Sequence, residues 1–357
     1  MFKPSKMTVA MLEDIERRLD PEVEEDFCEQ WRGFLKDEFD GDIFCPRRKK
    51  TTSPSFTYPT VFINDALDDY DLMLQYELCN LSYTLTNASR TAGVWVGGYG
   101  TGTLSSVFGA DIFVVPREMN TPPITRAVGS DDRIREIIDR GIPNIENGFG
   151  RRVFECGEYF AEVFSKYPKI SAHVNMFHPD LQGPLDIAEL LWGGDMFYAM
   201  YDEPELVHSL LSLITETFTA FMKRWEGIFP LHPEINCYKF YHYLGGILLR
   251  CDSAMNLSPE FYREFAVPYD TKLYERFGGG AMHFCGRGDH YIDVLSEVPG
   301  LTGVNLAQAE YNDMEKIYRH TVDKGIKILL LHRRQALLDR DREGGYHHCV
   351  STWYEPD

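Results

Sequence analysis

The feature that most constrains the fold is a regular alternation of short apolar runs with longer amphipathic segments. It starts with the run at 92–100 and continues for roughly 260 residues, with further runs at 245–252 and 279–286. Between them, the segment 205–225 repeats apolar residues at helical spacing. Polar residues gather just after the apolar runs, as they do where the strands of a parallel sheet end. The pattern therefore predicts an α/β fold built on a parallel sheet.

The length of the chain favours one version of that fold. A chain of 357 residues accommodates a (β/α)8 TIM barrel, whose chemistry lies on the loops that follow the strands. A doubly wound open sheet is the alternative, but no GxGxxG motif opens a helix after a strand, so a dinucleotide-binding fingerprint is missing. We therefore expect the TIM barrel.

The N-terminal region has a different pattern. Residues 7–40 repeat apolar positions at helical spacing and are interrupted by a proline, which predicts two helices. Residues 41–64 are rich in Pro and Thr and predict a loop, and 65–90 predict a further helix. We expect an N-terminal helical extension and loop at 1–60 and the TIM-barrel domain at 61–357.

The charge of the chain excludes some classes of partner. Its 36 basic and 55 acidic residues give a net charge of −19. A surface for nucleic acid or an anionic membrane needs clustered Lys and Arg, so neither is expected. Arg47–Lys50 is the one dense basic cluster, and we interpret it as a solvated loop.

Targeting signals and cysteine usage suggest a reduced compartment. The N-terminus lacks an apolar core and a small-residue cleavage site, and no stretch approaches the roughly 18 apolar residues of a membrane span. The eight cysteines form no CxxC motif and no dense framework. We expect a cytoplasmic protein without a disulfide set, in which each Cys is a core residue, a ligand or a reactive thiol.

One predicted strand carries a candidate metal motif, because His283 and Cys285 are two residues apart and face the same side. Imidazole and thiolate both suit zinc. Cys349, where an eighth strand is expected, is the best third ligand, and His347 and His348 adjoin it. Three protein ligands would leave a fourth position open, as in catalytic zinc sites. The alternative is a buried strand end whose Cys is a small hydrophobe.

Further candidates follow other strands. Gln182 and Asp186 come after the run at 169–177, and Asp252 comes after a strand ending at 250. We assign a site role to Asp252, orienting a substrate or a ligand His, and helix capping to Asp186. A lone His at a strand end, such as His178, is more often structural.

Three segments resemble the uroporphyrinogen decarboxylase superfamily. The segments are Gly98–Asp111, Leu181–Val207 and Asp252–Tyr269. The last of them contains D-S, L-S-P and P-Y in that order. The resemblance rests on these sequence motifs and spans roughly residues 60–355. It implies a (β/α)8 barrel with a deep mouth, where the Gly-rich segment that contains Tyr99 would let the backbone approach a bound cofactor.

Two activities are implied by this resemblance. The decarboxylases carry an Arg-rich N-terminal stretch for substrate carboxylates, which this acidic chain lacks. The cobamide-dependent methyltransferases have an H-x-C motif and a later Cys that bind zinc, which here correspond to His283, Cys285 and Cys349. The resemblance therefore implies zinc, a methyl-cobamide on a corrinoid-binding partner protein, and a thiol or other small methyl acceptor that zinc activates.

The chain departs from the family at two strand ends. Asn305 and Gln308 stand where an acidic residue is common, and His332 and Arg333 stand where a Gly–Asn pair is more usual. His332 and Arg333 suit an anionic group on a cofactor or partner, with a solvated helix start as the alternative.

The predicted site has three groups of residues. We expect catalytic roles for Asp252, Gln182 and Asn305, cofactor binding by Tyr99, His332 and Arg333, and metal binding by His283, Cys285 and Cys349. The alternative functions are a metal-free carboxy-lyase and a non-catalytic corrinoid or small-ligand binding protein. The sequence is compatible with a homodimer but does not determine the oligomeric state.

Overall fold

A computed structural model describes residues 3–353 of the chain. The helices are α1 (Lys6–Arg18), α2 (Pro21–Leu35), α3 (Ile63–Ala66), α4 (Tyr70–Leu85), α5 (Thr103–Val107), α6 (Asp131–Arg140), α7 (Gly150–Phe164), α8 (Pro168–His173), α9 (Pro184–Trp192), α10 (Asp195–Asp202), α11 (Pro204–Glu226), α12 (Pro259–Phe265), α13 (Val267–Phe277), α14 (Ile292–Leu295), α15 (Met314–His320) and α16 (Arg333–Leu338). The strands are β1 (Ile43–Phe44), β2 (Gly93–Trp95), β3 (Asp111–Phe113), β4 (Ile124–Arg126), β5 (Asn175–Phe177), β6 (Ile235–Tyr238), β7 (Tyr241–Leu244), β8 (Ile247–Arg250), β9 (Gly280–Phe284), β10 (Leu301–Leu306), β11 (Lys327–Leu331) and β12 (Val350–Thr352). Short 3-10 helices lie at Arg117–Met119, Ser253–Asn256, Ala309–Tyr311 and Val322–Lys324.

The α/β class and the parallel sheet are as predicted. Six parallel strands form one sheet in the order β1-β12-β11-β10-β9-β8, and β2 and β5 form a separate parallel pair. Two antiparallel hairpins, β3–β4 and β6–β7, were not predicted. Within residues 3–353 the ladder is interrupted between β1 and β2 and between β5 and β8, so the strands do not form a hydrogen-bonded closed barrel.

Side chains satisfy strand groups at both interruptions. Beside β8, the amide of Leu248 donates to His178 Nε2 at 3.0 Å, while His178 Nδ1 lies 2.8 Å from the carbonyl oxygen of Pro179. On β2, the amide of Trp95 donates to Glu77 Oε2 of α4 at 2.9 Å. His178 therefore has the structural role expected of a lone His at a strand end.

Alternate residues of the large sheet enter two hydrophobic layers. Met282 and Phe284 of β9 belong to the core shared with the helices. Ala281 of β9 belongs instead to a second cluster with Leu248 and Tyr243, the last of which lies on the β6–β7 hairpin. Because His283 has the parity of Ala281, its side chain lies on the hairpin side of the sheet.

The N-terminal region is joined to the rest of the molecule. The two predicted helices are confirmed as α1 and α2. Met11 and Ile15 of α1 are fully buried in the main core, and β1 pairs with β12. The described residues 3–60 and 61–353 therefore share one sheet and one core.

Several local predictions were wrong. The run at 169–177 is not one strand, because Pro168 begins α8 and only the last three residues form β5. In the basic cluster, Arg48 is not solvated: it is buried and forms a bidentate pair with Glu24, at 2.7 and 2.8 Å.

No helix in residues 3–353 combines the length and apolar character needed to cross a membrane.

Candidate metal centre

The ends of three neighbouring strands bring the site together. His283 of β9 is in register with Asn305 of β10 and with Arg250 of β8. Asp252 lies two residues after the end of β8, and Cys285 directly follows β9. Because parallel strands end at the same edge of a sheet, these side chains meet there.

Asp252, His283 and Cys285 form a compact set of donor atoms. His283 Nε2 lies 3.4 Å from Cys285 Sγ and 3.9 Å from Asp252 Oδ1. All three donor atoms lie within 4.8 Å of one another. Zinc bonds to such ligands are roughly 2.0–2.3 Å long, which puts tetrahedral donors roughly 3.3–3.8 Å apart. The donor set therefore fits one zinc ion, with a fourth position left for another ligand.

A hydrogen-bond chain orients the imidazole of His283. Asn305 Nδ2 donates to the carbonyl oxygen of Leu329 at 2.6 Å, which turns Asn305 Oδ1 toward His283 Nδ1, also at 2.6 Å. Since an amide oxygen accepts, His283 Nδ1 carries the proton and Nε2 presents its lone pair to the cluster. A hydrogen bond of this kind fixes the ring orientation and tautomer that a histidine needs to bind a metal ion through Nε2.

Asp252 is held from three directions. Its Oδ1 accepts from the amide of Cys285 at 2.7 Å, and its own amide donates to Asp186 Oδ2 at 3.0 Å. Arg250 Nη2 lies 3.5 Å from Asp252 Oδ2. Asp186 also accepts from the amide of Ser253 at 2.8 Å, so it caps the 3-10 helix after β8 rather than its own helix. The predicted capping of the helix that follows the strand is not observed, since Asp186 lies inside α9 and that helix has no side-chain cap hydrogen bond.

Arg250 connects Gln182 to the cluster. Arg250 Nη1 forms a salt bridge with Asp180 Oδ2 at 3.0 Å. Gln182 Nε2 donates to Asp180 Oδ1 at 2.5 Å. Gln182 is thus three contacts away from Asp252, with Asp180 and Arg250 between them.

The surroundings shift the pKa values of the donors. Burial lowers the pKa of His283, and the nearby Arg250 cation lowers it further, so the imidazole is neutral at pH 7. Burial raises the pKa of the Cys285 thiol to about 11, and the Asp252 carboxylate adds to the rise. Burial also raises the pKa of Asp186 to about 7. A cation among these donors would favour the thiolate by direct attraction.

A cavity of about 270 Å³ opens beside the cluster. His283 and Asn305 form one wall, and the tip of the β6–β7 hairpin forms the opposite wall with aromatic rings and a lysine. His332, which is exposed at the start of α16, lines the same cavity. Of the predicted cofactor-binding residues, His332 is therefore the one at this site.

The structure does not bring Cys349 to the cluster. Cys349 directly precedes β12, and its carbonyl accepts from the amide of Ile328 at the start of β11. Cys285 follows the carboxyl end of β9, whereas Cys349 precedes the amino end of β12. The two cysteines therefore lie at opposite ends of the parallel strands. The nearest polar partner of the buried Cys349 Sγ is the carbonyl oxygen of His347 at 3.3 Å. Cys349, the predicted third ligand, is therefore not beside His283 and Cys285, and the third residue there with a potential metal-donor atom is Asp252.

Two predicted cofactor-binding residues lie elsewhere. Tyr99 is fully buried in the main core, with its ring 5.2 Å from that of Phe149. Arg333 lines a separate cavity with Cys45 and Arg340. Neither residue lines the cavity beside the cluster.

Sequence reasoning missed Arg250 and Asp180. Arg250 is the last residue of an otherwise apolar strand, and Asp180 lies between two candidates that were considered. A charged residue in an apolar strand is rarely buried without a partner of opposite charge. Considering Arg250 and Asp180 together would therefore have predicted their salt bridge.

Comparison with known proteins gives a structural relative but no sequence relative. No family model matches the sequence, and no curated protein matches it. Among solved structures, the chain is similar to a methyltransferase from Methanosarcina mazei, with a TM-score of 0.57 and 14% identity. The match covers 84% of this chain and 80% of that one. The two proteins share a fold.

Proposed function

We propose that this protein is a zinc-dependent methyltransferase built on a (β/α)8 barrel of the uroporphyrinogen decarboxylase type. It would move a methyl group between a methyl-cobamide carried by a corrinoid-binding partner protein and a thiol or other small acceptor. The observation that carries the proposal is the Asp252, His283 and Cys285 donor set, with the imidazole of His283 oriented by Asn305. The fold shared with a methyltransferase supports it.

The residues of the site would have distinct tasks. Asp252, His283 and Cys285 would hold zinc, which, when bound, lowers the pKa of a thiol ligand and so supplies a nucleophile at neutral pH. Asn305 keeps the proton of His283 on Nδ1. Arg250 and Asp186 hold Asp252 in place.

The cavity beside the cluster would receive the acceptor. Its opening at the strand ends is where the partner's corrinoid would approach. A methyl-cobamide on the partner would supply the methyl group, and zinc held by Asp252, His283 and Cys285 would keep a thiol acceptor in its nucleophilic thiolate form. The thiol proton would go to solvent.

The proposal is tested with zinc-loaded protein, methylcobalamin and a panel of small thiols. We expect thiol-dependent formation of cob(I)alamin, which is monitored by its absorbance. His283→Ala should lower the rate of this reaction at least about 100-fold, since a removed ligand affects both metal binding and activation of the thiol. Cys349→Ala is the matched control and should keep the rate. Thiol-dependent turnover that is equal in His283→Ala and the parent protein would contradict the proposal.

A further inference from the structure

A second cavity, of about 300 Å³, lies between α4, β2 and the tip of the β6–β7 hairpin. This volume is at the lower end of the range for small-molecule sites. Aromatic rings form much of its wall, including those of Trp95, Phe177, Tyr83 and Phe240. It meets the cavity of the metal cluster only at the hairpin tip, where Lys239 and Phe240 line both.

Two of the residues that line this cavity have polar side-chain atoms without partners. Thr91 is 3% exposed, and its Oγ1 is buried with no hydrogen-bond partner among the described residues. Trp95 Nε1 is likewise buried and unpartnered within residues 3–353. A buried polar atom without a partner is costly, which favours a ligand or water that can pair with it.

Glu77 is the acidic residue that lines the same cavity. It is 4% exposed, and its Oε2 accepts from the amide of Trp95. Burial raises the pKa of its carboxyl to about 8, so the group is largely uncharged at pH 7. A neutral carboxyl beside a hydroxyl suits a ligand group that both donates and accepts hydrogen bonds, such as a hydroxyl.

Two cations also line this cavity, Lys239 and Arg90. Lys239 Nζ lies 4.5 Å from the centre of the Trp95 ring. The Arg90 guanidinium lies 4.7 Å from the centre of the Phe240 ring. Cations held over aromatic rings in a cavity wall favour an anionic group between them.

We propose that this second cavity binds a small aromatic carboxylate that carries a hydroxyl group. Its carboxylate would pair with Lys239 and Arg90, its ring would lie among the aromatic side chains, and its hydroxyl would reach Glu77 and Thr91. The inference concerns binding alone. It requires no metal and is independent of the proposed methyl transfer.

The test measures binding of 4-hydroxybenzoate by calorimetry, with benzoate and phenol as probes that each lack one group. We expect 4-hydroxybenzoate to bind at least about tenfold more tightly than either, since each missing group removes one charged or buried hydrogen bond. In Lys239→Met, 4-hydroxybenzoate should bind no more tightly than phenol. Lys223→Met, an exposed lysine on α11, is the matched control and should change nothing.

Thr91→Val separates a binding role from a structural one. The two side chains have nearly the same shape, and the lost hydroxyl has no described partner, so the unfolding midpoint should stay equal or rise. Affinity for 4-hydroxybenzoate should fall several-fold while that for benzoate is unchanged. His283→Ala should keep the binding, which locates it outside the metal cluster.

Three results would overturn the inference. The first is no heat of binding with any probe at about millimolar concentration, which would mean that the cavity holds only water. The second is equal binding of all three probes. The third is loss of binding in His283→Ala with retention in Lys239→Met.

Discussion

Asn305 decides which nitrogen His283 offers to a metal ion. Its amide is held by the Leu329 carbonyl, so its oxygen must face His283 Nδ1. An imidazole without this partner samples both tautomers and rotates, and only one state binds metal as the cluster requires. The orientation of one side chain therefore affects metal affinity without a bond to the metal.

The prediction for this residue is that Asn305→Ala binds zinc about 10–100-fold more weakly than the parent protein. Competition with a chromophoric chelator measures the affinity. Cys349→Ala serves as control, because it removes a buried side chain outside the cluster. Equal affinity in Asn305→Ala and the parent protein would show that the hydrogen bond does not matter.

Sequence reasoning reached part of the site at this scale. The parity of His283 and Cys285 correctly predicted that they share a face, and Asp252 was correctly given a place at the strand ends. Cys349 was assigned to the metal site, but the sequence did not determine whether it precedes or follows its strand, and it precedes β12. The side chain of Tyr99 is buried in the core, and its position after a strand did not predict which way it turns.

At the scale of elements, side chains replace strand pairing at the interruptions of the sheet. Glu77 of α4 accepts from β2, and His178 accepts from β8. The alternation of apolar runs predicted the parallel strands but not these interruptions, because they depend on contacts between residues far apart in sequence. The hairpin β6–β7 was missed because its aromatic run is short and lacks a marked turn sequence.

Glu77 gives a pH-dependent prediction for this element. Its folded pKa of about 8 lies above its unfolded value of about 4.3, so the native protein keeps a proton that the unfolded chain releases. Its contribution to stability is therefore fully present below about pH 4 and is lost as the pH rises toward 8. From pH 5 to 8.5, the parent protein should lose about 2–5 kcal/mol of unfolding free energy relative to Glu77→Gln.

Urea unfolding of both proteins at the two pH values measures this difference. Glu13→Gln, which changes an exposed carboxyl on α1, is the control and should follow the parent protein. A constant difference between the parent protein and Glu77→Gln across the pH range would show that Glu77 titrates normally.

For the whole molecule, the N-terminal region is part of the fold. Met11 and Ile15 are buried in the main core, Trp31 stacks on His242 of the hairpin at 5.3 Å, and β1 extends the sheet. Sequence patterns predicted the helices α1 and α2 but could not show what they cover, because an amphipathic face does not identify its partner.

A chain that begins at residue 61 should therefore fail to fold cooperatively. Its loss of β1 and of the side chains that cover α4 and the hairpin would expose large apolar surfaces. Circular dichroism during thermal unfolding tests this. A sharp transition in the shortened chain, at the temperature of the full chain, would establish 61–357 as an independent domain.

The central claim is that Asp252, His283 and Cys285 bind one zinc ion. Metal analysis combined with zinc X-ray absorption on the purified protein tests it most directly. We predict about one zinc per chain with a single sulfur ligand at about 2.3 Å, nitrogen and oxygen ligands at about 2.0–2.2 Å, and loss of the metal in His283→Ala. Absence of bound zinc, or a zinc with two sulfur ligands, would contradict the account.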